Sequence, residues 1–151
     1  MEKKLVIMQG VPGSGKSTLA KKIADSHDGE GKAVVFSTDD YFYKSSGGVE
    51  YRFDFRKLGE AHSWNQGRCE AAMALGAELI VIDNTNIKRR DAMEYAEMAR
   101  KFGYKIEIAR PKTEWAYDAG ECFKKNSHGV PLEVIERMLR QMEPIDDLTL
   151  K

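Results

Sequence analysis

The sequence predicts an α/β fold, a parallel sheet covered by helices on both faces, and three observations lead there. The first is Gly10-Val11-Pro12-Gly13-Ser14-Gly15-Lys16-Ser17-Thr18, which matches the phosphate-binding pattern G-x-x-x-x-G-K-[ST]. Its flanks supply the strand and helix that the pattern requires. Residues 3–9 form a short apolar run bounded by charge, and Leu19, Ala20, Ile23, Ala24 and His27 recur at helical spacing. The second is Glu78-Leu79-Ile80-Val81-Ile82-Asp83, a continuous apolar run typical of a strand buried on both faces. The third is the alternation of strand and helix patterns along the chain, which implies parallel strands joined by right-handed crossovers.

The remaining elements follow in order. Residues 33–37 read as a second strand, ending at Thr38-Asp39-Asp40. Residues 41–54 are rich in Tyr and Phe but broken by Ser45-Ser46-Gly47-Gly48, and read as a mobile segment over the site rather than core. Leu58, Ala61, Cys69, Ala72 and Leu75 mark one face of a helix that ends at Gly76. Ala92, Ala96, Ala99 and Phe102 mark another, stopped by Gly103, and residues 104–109 alternate as the last strand. Trp115, Ala119, Cys122 and Phe123 form a further helical face, interrupted at residues 126–129. Pro131 suits the first turn of a helix carrying Leu132, Ile135, Leu139 and Met142. Pro144 and the acidic residues after it read as a frayed tail. The expected organisation is one domain over residues 1–143, a lid near 124–131, and a tail over 144–151.

Composition narrows the function. A chain of 151 residues with 42% hydrophobic content suits one core. Formal net charge is +0, so no global basic field exists to hold long nucleic acid, and any such contact would be a local patch. Cys69 and Cys122 are too few and too far apart for a disulfide framework or a metal site. Neither a signal-peptide core nor a membrane-length apolar run is present, and a reducing cytoplasm is the expected setting.

The chemistry starts at the glycine-rich loop. Its glycines let backbone N–H groups turn inward, and the helix start adds unpaired donors and the positive end of a dipole. A nucleoside triphosphate is the expected occupant of Gly13, Ser14, Gly15, Lys16, Ser17 and Thr18. Lys16 reaches the β- and γ-phosphates while the Ser17 hydroxyl ligates Mg²⁺. In an open α/β sheet the other active groups gather at the carboxyl ends of the strands. There Asp39 and Asp40 are candidates for orienting an acceptor hydroxyl and taking its proton, or else form a helix-capping pair. Asp83 closes its strand as a metal-holding acid would. Thr85 and Asn86 read as substrate or backbone contacts, with Asn86 equally a helix cap. Arg89, within Lys88-Arg89-Arg90, opposes the helix dipole and so answers to something anionic or lies on a solvated face. Lys124, Lys125 and Asn126 interrupt two helices as a phosphate-covering lid does, where a cation offsets transition-state charge. His128 reads as a loop histidine. Tyr41, Phe42, Tyr43, Tyr51 and Phe53 either stack on a base or form the segment's own small core.

Together Gly10–Thr18, Ser37-Thr38-Asp39-Asp40-Tyr41, Ile82-Asp83-Asn84-Thr85-Asn86 and Lys125-Asn126-Ser127-His128-Gly129-Val130-Pro131 resemble the kinase domain of phage polynucleotide 5′-kinases. They are similar too to the related small AAA-type and zeta-toxin-like P-loop kinase domains, some of them within larger eukaryotic proteins. The resemblance spans residues 3 to about 142. It implies a three-layer sandwich of about four parallel strands in the order 2-3-1-4 with a helical lid. It also implies Asp39 as general base, Lys16 and Ser17 on phosphate and Mg²⁺, Thr85 on the substrate side, and Lys125 on the lid. Asp40, Tyr41 and Phe42 would then face the substrate. Two departures stand out: Phe42 and Lys125 occupy positions where the phage pattern has arginines, and lysine cannot make arginine's planar bidentate contact.

The expected function is transfer of the γ-phosphoryl of ATP, with Mg²⁺, to a hydroxyl on DNA or RNA, first a 5′-hydroxyl end. The alternatives are a kinase of 5-hydroxymethyl pyrimidines within DNA, a small-metabolite kinase, and a non-catalytic nucleotide-binding switch. No membrane and no obligate protein partner is expected, and the cytoplasm would be the host's if the chain is phage-encoded.

Overall fold

Four strands, β1 (Lys4–Met8), β2 (Ala33–Phe36), β3 (Leu79–Ile82) and β4 (Lys105–Ala109), form one parallel sheet in the order β2-β3-β1-β4. The structure, a computed structural model, describes residues 2–29 and 31–150. Ile7 of β1 pairs in register with Ile82 of β3, which pairs in turn with Phe36 of β2. The loops at the carboxyl ends of β1, β2 and β3 therefore leave the sheet side by side.

Alternation along β1 sends successive side chains to opposite faces. Leu5 and Ile7 join Ile80 and Ile82 beneath α2 (Leu58–Ala74) and α3 (Arg89–Phe102), where Met73, Tyr95 and Ala96 are buried. Val6 and Met8 join Leu79 and Val81 on the other face, under Ala20 of α1 (Lys16–Asp25). Small alanines on α3 let it lie close to the sheet, and Gly103, with φ at 76°, ends it in a left-handed cap. A third cluster of Val11, Ile87, Cys122 and Ile135 seats α4 (Ala119–Lys125) and α5 (Leu132–Gln141) beside the glycine-rich loop. The three-layer expectation and the strand order both hold.

Three local expectations need correction. The stretch over 41–54, expected as a mobile segment over the site, begins inside a 3-10 helix, Thr38–Ser46. Phe42 is buried there, its ring 4.9 Å from that of Phe53 and 6.0 Å from that of Tyr51, so the aromatic segment makes a small core of its own. Trp115 lies in a turn before α4, which starts only at Ala119 because Asp118 caps it through the Glu121 N–H. The segment after Pro144 does not fray. Ile145 and Leu148 are buried in the main core, and a 3-10 turn over Asp146–Thr149 holds them there. Acidic residues in an apolar-poor stretch hid two well-spaced core residues.

Both cysteines are unpaired and buried. Burial pushes the Cys69 thiol up to about 12, and raises that of Cys122 as well. Among the described residues no helix is long and apolar enough to cross a membrane. The buried C-terminal turn has a measurable consequence. Leu148→Ala should lower the unfolding free energy by about 2–4 kcal/mol, read as a lower urea midpoint at unchanged slope.

Candidate active site

The glycine-rich loop leaves β1 and feeds the first turn of α1, and two glycines set its path. Gly13 has φ at 81°, and a Cβ there would stand 2.0 Å from the Cys122 carbonyl oxygen. Gly15 has φ at 100°, where a side chain is strained whatever the space. Loop carbonyls turned away from the cradle find donors outside it. Trp115 Nε1 donates to the Gly13 carbonyl at 3.0 Å, and Thr113 Oγ1 to the Ser14 carbonyl at 2.8 Å. The Ser14 side chain is buried inside the loop, and its hydroxyl has no hydrogen-bond partner among the described residues.

Lys16 Nζ lies 3.1 Å from Asp83 Oδ1, and both side chains are mostly buried. The Asp83 carboxylate beyond β3 and the Ser17 hydroxyl at the start of α1 are hard oxygen donors of the kind that Mg²⁺ takes, and the Lys16 ammonium holds the carboxylate in this structure. Among the described residues no group of three His, Cys, Asp or Glu side chains could hold a metal alone. A magnesium site built from one hydroxyl and one carboxylate, completed by phosphate and water, fits that arrangement.

The two aspartates after β2 part company. Ser37 caps the 3-10 helix, and its hydroxyl accepts from the Asp39 N–H at 3.2 Å. Asp40 reaches back to the Ser37 N–H and pairs with Arg68 at 2.7 Å, outside the cavity. Asp39 faces inward. Its Oδ1 accepts from the Tyr51 hydroxyl at 2.9 Å, and its Oδ2 lies 3.4 Å from His128 Nδ1. Burial, then the neighbouring Asp39 charge, holds the Tyr51 phenol well above its ordinary range, so it remains a donor.

Lys16 and Asp39 line one cavity of about 410 Å³, whose walls include Tyr51, Phe53, His62 and His128. A second cleft of about 270 Å³ is lined by Gly15, Thr18, Trp115 and Lys125. The two share Gly13, Lys16, Ser17, Asn126 and Ser127, so the lysine stands where one opens into the other.

The other expected site residues divide. Thr85 lines the larger cavity, and its carbonyl accepts from the Gly10 N–H at 3.1 Å. Lys125 reaches the smaller cleft with its ammonium 4.6 Å over the Trp115 ring. Lys124 is exposed and pairs with Glu121, away from both spaces. Asn126 lines both, but its side chain closes its own turn by accepting from the Val130 N–H and donating to the Phe123 carbonyl.

Asp40, Tyr41, Phe42, Asn86 and Arg89 were expected on the substrate and are otherwise engaged. Tyr41 donates to Glu60 at 2.7 Å beside the Trp64 ring, and Phe42 is buried in the aromatic cluster. Asn86, with φ at 47°, donates to the Met8 carbonyl at 2.7 Å. Arg89 pairs with Asp147, so its cation answers to a carboxylate of this chain. Several residues of the site escaped notice for lack of any local signal. Asn84 accepts from the Thr38 N–H at 2.8 Å and ties the ends of β2 and β3 together. His128, Trp115, Thr113 and His62 likewise take their places from partners distant along the chain.

A family model described as an AAA domain matches residues 5–145. The human NEDD4-binding protein 2 is 40% identical over 139 residues, which is 92% of this chain but 8% of that protein. The rat 2′,3′-cyclic-nucleotide 3′-phosphodiesterase is 29% identical over 93% of this chain and 31% of its own. The chain therefore spans a third or less of these curated relatives. Among solved structures, a chain of the Pnkp1/Rnl/Hen1 RNA repair complex superposes with a TM-score of 0.68 at 18% identity, over 93% of this chain and 44% of that one. A sugar kinase from Janibacter sp. HTCC2649 superposes at 0.62 with 16% identity, over 95% and 80%. At such identities the likeness is one of fold, a P-loop kinase-like sheet with its helices.

The brace under the loop can be tested by itself. Asn86→Ala strips the Met8 carbonyl of a buried donor and places alanine in a left-handed conformation. It should cost about 2–4 kcal/mol of stability by chemical denaturation, and Thr85→Ala about 0.5 kcal/mol or less.

Proposed function

This chain belongs to the AAA domain family, matched over residues 5–145, and we propose that it is an ATP- and Mg²⁺-dependent phosphotransferase acting on a nucleic-acid hydroxyl. A free 5′-hydroxyl end is the preferred acceptor. The observation that carries this reading is that Lys16 and Asp39, from the ends of two different strands, line the same cavity.

In this reading the cleft beside Gly15, Thr18 and Lys125 takes the triphosphate, and the cavity walled by Tyr51, Phe53 and His128 takes the acceptor. Inward N–H groups of the loop and the start of α1 bind phosphate oxygens, and Lys16 moves from Asp83 toward the γ-phosphate. Magnesium, when bound between Ser17 and Asp83, supplies positive charge that offsets the charge on the phosphate oxygens. Asp39 orients the acceptor hydroxyl and takes its proton as the oxygen closes on phosphorus. One O–P bond forms, the bond from the γ-phosphorus to the β-γ bridging oxygen breaks, and ADP leaves with that electron pair. Lys125 lies over the phosphates from the lid side, where a cation is worth most as charge shifts.

Two considerations favour a nucleotide acceptor over a sugar. Aromatic walls on the acceptor side suit stacking against a base. A curated relative named a cyclic-nucleotide phosphodiesterase is in keeping with a nucleotide as the ligand on the acceptor side. The test is a transfer assay with γ-labelled ATP and Mg²⁺, offering a 5′-hydroxyl oligonucleotide, DNA with 5-hydroxymethyluracil, and a panel of nucleosides and sugars. Label on the oligonucleotide end is expected, with binding that weakens as salt rises. Label confined to the modified base or to a sugar overturns the choice of acceptor. Asp39→Asn should lower kcat by about 10²–10⁴-fold while nucleotide affinity changes by less than about twofold.

A further inference from the structure

The lid loop between α4 and α5 carries His128, and its imidazole lies among acceptor-side residues rather than over the nucleotide cleft. Its Nδ1 is 3.4 Å from Asp39 Oδ2, and its Nε2 is 3.4 Å from the Tyr43 hydroxyl. Its ring stacks on that of Tyr51 with centroids 4.2 Å apart and planes 23° from parallel. Tyr51 in turn donates to the other oxygen of the same carboxylate at 2.9 Å. The side chain is three-quarters buried. One oxygen of Asp39 is thus hydrogen-bonded by Tyr51 and the other lies against His128, two rings that are face to face.

The approach to Asp39 is a ring-to-carboxylate contact, and a carboxylate only accepts. In the tautomer with its proton on Nδ1 the imidazole can donate toward Asp39 while Nε2 accepts from the Tyr43 hydroxyl. Tyr43 and Tyr51 come from the segment after β2, and His128 from the far side of the cavity. The contact therefore crosses from lid to base.

We propose that His128 is a positioning residue for the transfer, acting through Asp39 and linking the lid to the base. This rests on Asp39 being the base in the function proposed above. Its Nδ1–H, with the Tyr51 hydroxyl, holds the carboxylate in one orientation and leaves the remaining lone pairs for the acceptor hydroxyl. When that hydroxyl gives its proton to Asp39 and its oxygen bonds to the γ-phosphorus, His128 keeps its own proton throughout. The lid then completes the acceptor site as well as the nucleotide site, because Asn126 and Ser127 line both spaces and His128 reaches the base. A lid held open leaves Asp39 with one of its two restraints, and the carboxylate can swing out of line.

The experiment compares His128→Ala, His128→Gln and His128→Asn in the labelled-ATP assay with a saturating 5′-hydroxyl oligonucleotide. Asparagine places an amide N–H near the Nδ1 position, and glutamine places one near Nε2. Alanine and glutamine should lower kcat by about 10- to 100-fold with KM for ATP within about twofold. Asparagine should recover most of that loss. In the Asp39→Asn background, His128→Ala should leave the residual rate unchanged, because a residue acting through Asp39 has nothing left to position. Full activity in all three variants, equal losses for asparagine and glutamine, or additive losses with Asp39→Asn would each overturn the proposal. A loss confined to KM for ATP would overturn it too, by making His128 part of the nucleotide lid alone. If the unaltered enzyme transfers phosphate to no hydroxyl, the proposed function fails and this role falls with it.

Discussion

A loop that turns its N–H groups toward a ligand turns its carbonyls elsewhere, and each of those oxygens needs a donor. Here the donors come from the segment between β4 and α4. Trp115 Nε1 and Thr113 Oγ1 hold the carbonyls of Gly13 and Ser14, more than ninety residues away in sequence. Gly13 is pressed so close to the Cys122 carbonyl that no side chain fits between them. The cradle, the turn after β4 and α4 are therefore one packed unit. The requirement to satisfy outward carbonyls is what joins that turn to the loop.

A second layer of amides does the same for the strand ends. Asn84 fixes the start of the 3-10 helix by taking the Thr38 N–H, and its own amide reaches toward the Tyr95 hydroxyl, which Asn65 of α2 also bonds. Asn86 holds the end of β1, and Gln9 ties it to the carbonyls of Asn86 and Glu143. These buried side chains gain modest net energy from each bond, but leaving one unpaired is costly, so the network enforces a single arrangement. Asp39 owes its place in the cavity to this chain of amides as much as to its own position after β2.

The sheet was legible because its signals are local. The loop pattern, the apolar run of β3 and the stops at Gly76 and Gly103 each speak within a few residues, and their order gave the layers. The placement of Asp39, Lys16, Ser17 and Asp83 beyond strand ends was legible because a strand's carboxyl end is a position in sequence as well as in space. What stayed hidden depends on partners distant along the chain. Nothing near Arg89 reveals that Asp147 will neutralise it, and nothing near Phe42 distinguishes a ring that stacks on a base from one that packs on Phe53. Asp39 and Asp40 are adjacent and alike, and Arg68 on α2 separates their roles. Ile145 and Leu148 sit among acids, so composition spoke against burial that three-dimensional packing requires.

Burial of the two cysteines leaves the surface of this protein without native thiol chemistry to interfere. Cys122 donates its Sγ–H to the Trp115 carbonyl at 3.2 Å, and Cys69 is enclosed between α2 and the sheet. With both thiols held protonated at neutral pH, alkylating dyes find almost no thiolate to attack. A single cysteine introduced at the exposed Lys124 position, which lines neither cavity, can then carry a fluorophore against a quiet background. The surroundings of that end of α4 then become an optical signal.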